Sequence, residues 1–256
     1  MRIPYAPSSP PPQDEDQDQD QITRDIYDRI AARRHPRPLI PLDLALLHSP
    51  PVADGWNSFL GAIRSHTVLD AGLLELAVCR VALLNDAVYE WNAHAPLALK
   101  AGVKPEQLQE VKELDREFFL PGGSNHRLHI DTSTATTTTG EDIVFGVKKR
   151  IDEGSTSLTL SQWVVLAYTD QMTKKVKIDE EVFQYLGTGS TTPTTATDKD
   201  QIASARAGLS HREIVELTAA VAAYNCVSRF LVALDVGENN GKEMKNVDQL
   251  LKELGR

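Results

Sequence analysis

The chain has 256 residues, of which 41% are hydrophobic and 25% are charged, a balance typical of a globular protein with a sizeable core. With 27 Lys and Arg against 36 Asp and Glu, the net charge of −9 disfavours binding to nucleic acid or to anionic membrane surfaces. No stretch reaches the roughly 18 apolar residues that predict a membrane span.

The chain begins with an acidic segment rich in Pro, Asp and Gln. Because residues 1–21 carry few apolar side chains, they are predicted to be a disordered tail. The segment lacks the apolar centre of a secretory signal, so a cytoplasmic location is expected.

Helical spacing of apolar residues dominates the remainder, and no strand pattern competes with it. Capping residues, prolines and glycines predict where the helices begin and end. The predicted helices are 22–34, one starting at Ser49-Pro50-Pro51, Asp70–Leu84, one from Asn85 as N-cap to Ala101 with Gly102 after it, Pro105 to about Phe119, Leu160–Thr173, Asp179–Leu186, one from the Ser210–Glu213 capping box to about Asp235, and Lys242–Leu254.

Residues 22–256 are therefore predicted to form one all-α domain. Residues 120–157, with a Pro-Gly-Gly sequence and a threonine run, indicate an insertion between a first half at about 40–119 and a second half at about 158–256. A weak similarity relates the segment leading to Asn85 and the segment leading to Asn225. It indicates either two copies of one helical unit or two buried helices with similar patterns.

The two cysteines, Cys79 and Cys226, both fall in apolar helical patterns. The patterns predict two reduced, buried thiols. The alternative, a disulfide between them, has no support from the spacing.

The segment from Glu75 to His94, ELAVCRVALLNDAVYEWNAH, holds the most informative ionisable residues. On a helix that starts near Asn85, the side chains of Glu90, Trp91 and His94 share one face. A carboxylate beside an imidazole stabilises its protonated form, and the helix dipole favours the anionic form of Glu90. Glu90 and His94 are therefore interpreted as a proton-transfer pair on a partly buried face. The alternative, which the spacing alone favours, is an ordinary Glu–His pair on a solvated helix face.

The stretches PLDLALLHSPPVADGWNSFLGAIRS and LLELAVCRVALLNDAVYEWNAHAPLALKAGV resemble the core of the carboxymuconolactone decarboxylase–like, or AhpD-like, superfamily. The resemblance implies an AhpD-like helical bundle. The redox branch carries Glu, Cys, Cys and His where this chain has Glu75, Ala87, Glu90 and His94. Because thiol–disulfide exchange needs two thiols, the resemblance implies acid–base chemistry instead of a peroxidase-type reductase.

The resemblance implies a cofactor-free decarboxylase or isomerase for a small carboxylated lactone or related organic acid. It gives His94 the role of acid, and Glu75 or Glu90 the role of its orienting or relay group. Trp91 and Tyr89 would line the pocket. Arg80 would bind a substrate carboxylate or, alternatively, pair with a neighbouring acid. A non-catalytic oligomeric binding protein of the same fold is the alternative function.

The resemblance also implies self-association, as a trimer or a pair of trimers. A metal is not expected. His126, His129 and Asp131 have a spacing that a metal could use, but no fourth ligand accompanies them.

Overall fold

A computed structural model of the chain describes residues 1–10, 18–119, 146–147, 149–188 and 206–255. Within these ranges the regular structure is helical, apart from one isolated bridge between Gly187 and Leu209, and the predicted all-α fold is confirmed. The helices are α1 (Asp18–Arg34), α2 (Pro41–Leu46), α3 (Pro50–Ser65), α4 (Ala71–Leu84), α5 (Val88–Lys100), α6 (Pro105–Glu113), α7 (Leu160–Lys174), α8 (Glu180–Leu186), α9 (His211–Leu234) and α10 (Val247–Glu253).

The chain forms two compact units. The first consists of Met1–Thr67 and Arg229–Lys242, and the second of Val68–Ser228 and Glu243–Arg256. These boundaries differ from those of the two halves predicted from the sequence. The relationship between those halves stays a prediction.

In the first unit, α3 packs against α1 and α2. Arg34 joins α1 to α2 through two hydrogen bonds to Asp43, of 2.8 and 2.7 Å. The same carboxylate accepts the Ile40 N–H at 2.9 Å at the start of α2, so it neutralises a cation and satisfies a helix-end donor together.

Residues 1–10 belong to the first unit and have defined contacts. The Tyr5 hydroxyl accepts the Gly237 N–H at 2.8 Å and donates to Glu238 at 3.0 Å, and Ala6 is buried. Residues 11–17 lie outside the described residues, and α1 begins at Asp18, within the range predicted as a tail.

The second unit is organised around α4, which packs against α5, α6 and α7. Asp70 caps α4 by accepting the Leu73 N–H at 2.9 Å. Leu76 and Val81, on different sides of the helix, are both 0% exposed. A helix with apolar residues on most of its sides is stable when other helices surround it, which explains why α4 lies at the centre of the unit.

Two helices of this unit are shorter than predicted. α6 ends at Glu113 because the backbone of Leu114 is extended. α10 begins at Val247, after Asn246 forms a capping box with Gln249. The observed ends follow tertiary hydrogen bonds and local caps that apolar spacing does not reveal.

The predicted insertion at 120–157 falls largely on residues 120–145 and 148, which lie outside the described residues. Its described end is attached to α6. Glu110 accepts hydrogen bonds from the hydroxyl groups of Thr156 at 2.6 Å and Ser157 at 2.8 Å.

Among the described helices, α9 is long and apolar enough to cross a membrane by length and composition, contrary to the expectation from the sequence. Of its most apolar window, 44% is buried inside the protein. Because core helices pass the same test, α9 does not make the chain a clear membrane protein.

Candidate acid–base site

The turn between α4 and α5 forms the C-terminal cap of α4, whereas the sequence predicts an N-terminal cap of α5 there. The sequence predicts Asn85 as the N-cap of α5, but Asn85 is the C-cap of α4. Asp86 then adopts a φ of 54°, and the Ala87 N–H bonds to the Ala82 carbonyl at 2.9 Å, the Schellman pattern of a helix end. α5 follows at once and packs back along α4, which brings Glu75, near the start of α4, to His94, in the middle of α5.

His94 on α5 and Glu75 on α4 form the central contact of the site. The distance between His94 Nδ1 and Glu75 Oε2 is 2.7 Å, and their side chains are 6% and 13% exposed. Because a carboxylate can only accept, Nδ1 carries the hydrogen of this bond. Nε2 has no hydrogen-bond partner in the described part of the chain, so it is the ring nitrogen that Glu75 leaves unoccupied.

The predicted pairing of Glu90 with His94 is corrected by the structure. Glu90 and His94 do lie one turn apart on α5, but the Glu90 carboxyl contacts Ser228 Oγ at 3.0 and 3.1 Å. Of the two acids that the sequence leaves open as the orienting group of His94, Glu75 is the one in contact.

The surroundings of Glu90 oppose the ionisation that the dipole of α5 favours. Glu90 is 1% exposed, and burial raises its pKa well above the usual range, against a smaller opposite effect of the Ser228 hydrogen bond. Removing a carboxylate from water costs more than the dipole of one helix end returns. Burial of Glu90 therefore works against the anionic form that the helix dipole favours.

Two residues of the cluster are not singled out for the site by sequence reasoning. The ring of Tyr224, which the sequence indicates only as a core residue, meets the His94 imidazole edge-on, with 4.8 Å between centroids and 79° between planes. Ser228, one turn further along α9, contacts Glu90. The sequence feature that could have pointed to this part of α9 is the similarity between the segments around Asn85 and Asn225. The two segments do meet, because the Asn85 amide donates to Asn225 Oδ1 at 3.1 Å.

The two cysteines differ in environment, and both are free. Cys79 is buried as predicted, and its pKa is raised well above the usual range by burial first and then by Glu75 and Glu90. Cys226 is exposed, which corrects its prediction, because it lies on the side of α9 opposite the buried residues.

The Arg80 side chain is fully engaged inside the protein, which disfavours the first of its two predicted roles, the binding of a substrate carboxylate. Its side chain is 0% exposed and donates two hydrogen bonds to Asp170, at 2.7 and 2.6 Å. Its other donors bond to the carbonyls of Leu114 at 2.9 Å and Asp115 at 2.6 Å. Arg80 thus forms the internal ion pair that the sequence offers as the alternative, and it ties α4 to α7 and to the end of α6.

Trp91 packs inside the second unit, and its role as a pocket wall stays a prediction. It is 0% exposed, its indole N–H donates to the Lys245 carbonyl at 2.9 Å, and the Lys112 ammonium lies 5.7 Å from the centre of the ring. It therefore joins α5 to the segment before α10. Tyr89 is half-buried, and its role as a pocket wall stays a prediction.

A surface cavity of about 680 Å³ lies elsewhere in the second unit, at α6. Glu106, Glu110, Glu113 and Asp115 line it, whereas Glu75, Glu90 and His94 do not. Four carboxyl groups against one cation, Arg150, make this cavity repulsive to an anionic ligand.

No group of three metal-ligating side chains occurs within the described ranges. His126, His129 and Asp131 lie outside them.

Comparison with known proteins relates part of the chain to a family. The model of the family described as "Carboxymuconolactone decarboxylase family" matches residues 50–115, about a quarter of the chain. No curated protein and no solved structure matches the chain. The matched segment covers α3 to α6 and contains Glu75, Glu90 and His94, whereas Tyr224 and Ser228 lie outside it. Residues 50–115 are therefore similar to the carboxymuconolactone decarboxylase family, and this similarity agrees with the all-helical fold of the described residues.

Proposed function

We propose that this protein is a cofactor-free carboxy-lyase or isomerase that acts on a small carboxylated lactone or a related organic acid. The observation that carries the proposal is the contact of 2.7 Å between His94 and Glu75, inside the segment that matches the family. A nearly buried imidazole with one nitrogen held by a carboxylate is suited to acid–base catalysis.

The proposed reaction uses the substrate as its own electron sink. The bond to the carboxylate carbon breaks, carbon dioxide leaves, and the electron pair passes into the unsaturated lactone as a dienolate. His94 Nε2–H then returns a proton to the distal carbon. Proton transfer by His94 contributes about 10²–10⁴ in rate, as is typical of a positioned acid–base group. Glu75 stabilises the imidazolium and keeps Nε2 facing the reacting carbon.

Thiol chemistry is less suited to this cluster. The pKa of Cys79 is raised well above its usual range, chiefly by burial, so its reactive thiolate form is disfavoured. Cys226, the other thiol, is exposed and has no partner cysteine. An alkylhydroperoxidase-type reaction needs a nucleophilic thiolate and a resolving thiol together.

The proposal extends to assembly and location. We place the protein in the cytoplasm as a homo-oligomer, a trimer or a pair of trimers, with a small organic acid or lactone as its ligand. The support is the family resemblance of the matched segment.

The test is release of carbon dioxide from carboxymuconolactone and its analogues by the full chain, with lactone isomers followed in the same samples. We expect turnover that His94→Ala abolishes and that His211→Ala, a change at an exposed histidine, leaves intact. If folded protein binds these acids without converting them, the alternative function, a non-catalytic binding protein, replaces the proposal.

A further inference from the structure

Ser228 has one hydroxyl hydrogen but two neighbours on its oxygen. Its Oγ lies 2.7 Å from the Tyr224 carbonyl oxygen and 3.0 and 3.1 Å from the two oxygens of Glu90. A hydroxyl donates once and accepts through its lone pairs, so the single hydrogen satisfies one of the two neighbours fully.

The hydrogen belongs to the bond with Tyr224. A carbonyl oxygen can only accept, and bonding from a serine to the carbonyl one turn earlier is a common arrangement in helices. This contact is also the shorter of the two kinds, at 2.7 Å. The remaining contact, with Glu90, is then favourable only if Glu90 supplies the hydrogen.

We propose that Glu90 is a neutral carboxylic acid at neutral pH, donating its proton to Ser228 Oγ, and that Ser228 is the positioning residue that holds this acid beside the His94–Glu75 pair. The chain of donors runs from α5 to α9 and ends on the Tyr224 carbonyl. Each hydrogen in it has one acceptor.

The surroundings of Glu90 favour the same state. Burial raises its pKa well above the usual range, as stated above. The titratable groups of the cluster are Cys79 and Glu75 on α4, His94 on α5 and Tyr224 on α9, and Ser228 on α9 adds a hydroxyl group. Glu75 and Glu90 both act electrostatically on Cys79, so an ionised Glu90 would add a second negative charge around this buried thiol.

A neutral Glu90 suits an anionic ligand. A carboxylated substrate approaching His94 would be repelled by a second carboxylate, whereas a neutral acid adds no charge. This use of the residue rests on the proposed function. Its protonation state does not, and it can be measured without turnover.

Infrared spectroscopy of the folded full chain at neutral pH tests the proposal, because neutral carboxylic acids and carboxylates absorb at separate frequencies. We expect a neutral-acid band in the wild-type protein that disappears in Glu90→Gln. In Ser228→Ala the band should shift, since its acceptor is lost. Ser210→Ala, at an exposed serine that caps α9, should leave it unchanged.

The outcomes separate the two proposals. If the difference between wild type and Glu90→Gln lies in the carboxylate region, the inference is overturned even if the protein releases carbon dioxide. If the neutral-acid band is present and no substrate is converted, the inference stands and the proposed function fails. If Glu90→Gln does not fold, the infrared difference between wild type and Ser228→Ala tests the inference, and a neutral-acid band that does not shift overturns it. Absence of any neutral-acid band from wild type also overturns the inference.

Discussion

Glu75 and His94 belong to successive helices, and the carboxylate of Glu75 lies 2.7 Å from Nδ1 of the imidazole. Glu75 lies on α4, a helix whose residues are mostly buried. The packing around α4 therefore restricts the movement of the Glu75 carboxylate. The contact therefore fixes which nitrogen of His94 carries a hydrogen toward Glu75 and which nitrogen is left for a ligand.

Replacing either partner of this contact should affect catalysis more than stability. We expect His94→Ala to lower turnover by about 10²–10⁴, and Glu75→Gln to lower it less, because the amide oxygen still accepts from Nδ1 but carries no charge. Turnover and circular dichroism are measured on the same samples. Near-normal turnover in folded His94→Ala would remove the acid role from this residue.

Breaking the Arg80–Asp170 pair should destabilise the fold strongly. Arg80→Ala leaves a buried carboxylate and two backbone carbonyls without their donor, and we expect a loss of about 3–5 kcal/mol in the free energy of unfolding. Arg29→Ala removes the more exposed pair with Asp54 and should cost about 0–1 kcal/mol. Denaturant unfolding measures both variants, and equal losses would contradict the structural role of Arg80.

The stability of the protein relative to Glu90→Gln should fall as the pH rises. The pKa of Glu90 is raised in the folded state, so its stabilising effect is fully present below the pKa of the unfolded chain, about 4.3, and is lost as the pH rises toward the folded pKa. Between those limits wild type should lose about 1.4 kcal/mol per pH unit relative to the variant. The measurement is the free energy of unfolding of both proteins from about pH 5 to pH 8. If the difference between them does not change with pH, burial does not raise the pKa of Glu90.

The thiols should not support peroxide reduction. Consumption of peroxide with a dithiol reductant should match that of buffer and should not change when Cys79 and Cys226 are both replaced by Ser. In the folded chain a thiol-specific reagent should modify the exposed Cys226 quickly and the buried Cys79 only after unfolding. Cysteine-dependent turnover would restore the redox interpretation of the family motif.

The protein should self-associate in solution, as the family resemblance implies. Light scattering at micromolar concentration should give the mass of a trimer or of a pair of trimers, against 28.2 kDa for one chain. A monomer under these conditions would contradict the expectation.

Much of the local structure follows from short-range sequence features. Asp70 caps α4, Ser210 and Glu213 form the capping box of α9, and Gly102 adopts a φ of 98° directly after the end of α5. Each depends on residues within a few positions of one another, so the pattern in the sequence already contains the interaction. The burial of Cys79 is predictable in the same way, because Cys79 lies in the predominantly apolar sequence of α4.

The partners of the polar site residues are decided by tertiary structure. Glu90 bonds to a serine 138 residues away, and Arg80 to an aspartate 90 residues away. The sequence places Glu90 and His94 on one helical face, but that spacing cannot reveal that α4 supplies a nearer carboxylate or that α9 supplies Ser228. Residue types and helical periods determined which groups are available. The packing of α4, α5 and α9 decided which of them meet, because burial leaves each polar group only the partners that neighbouring helices bring to it.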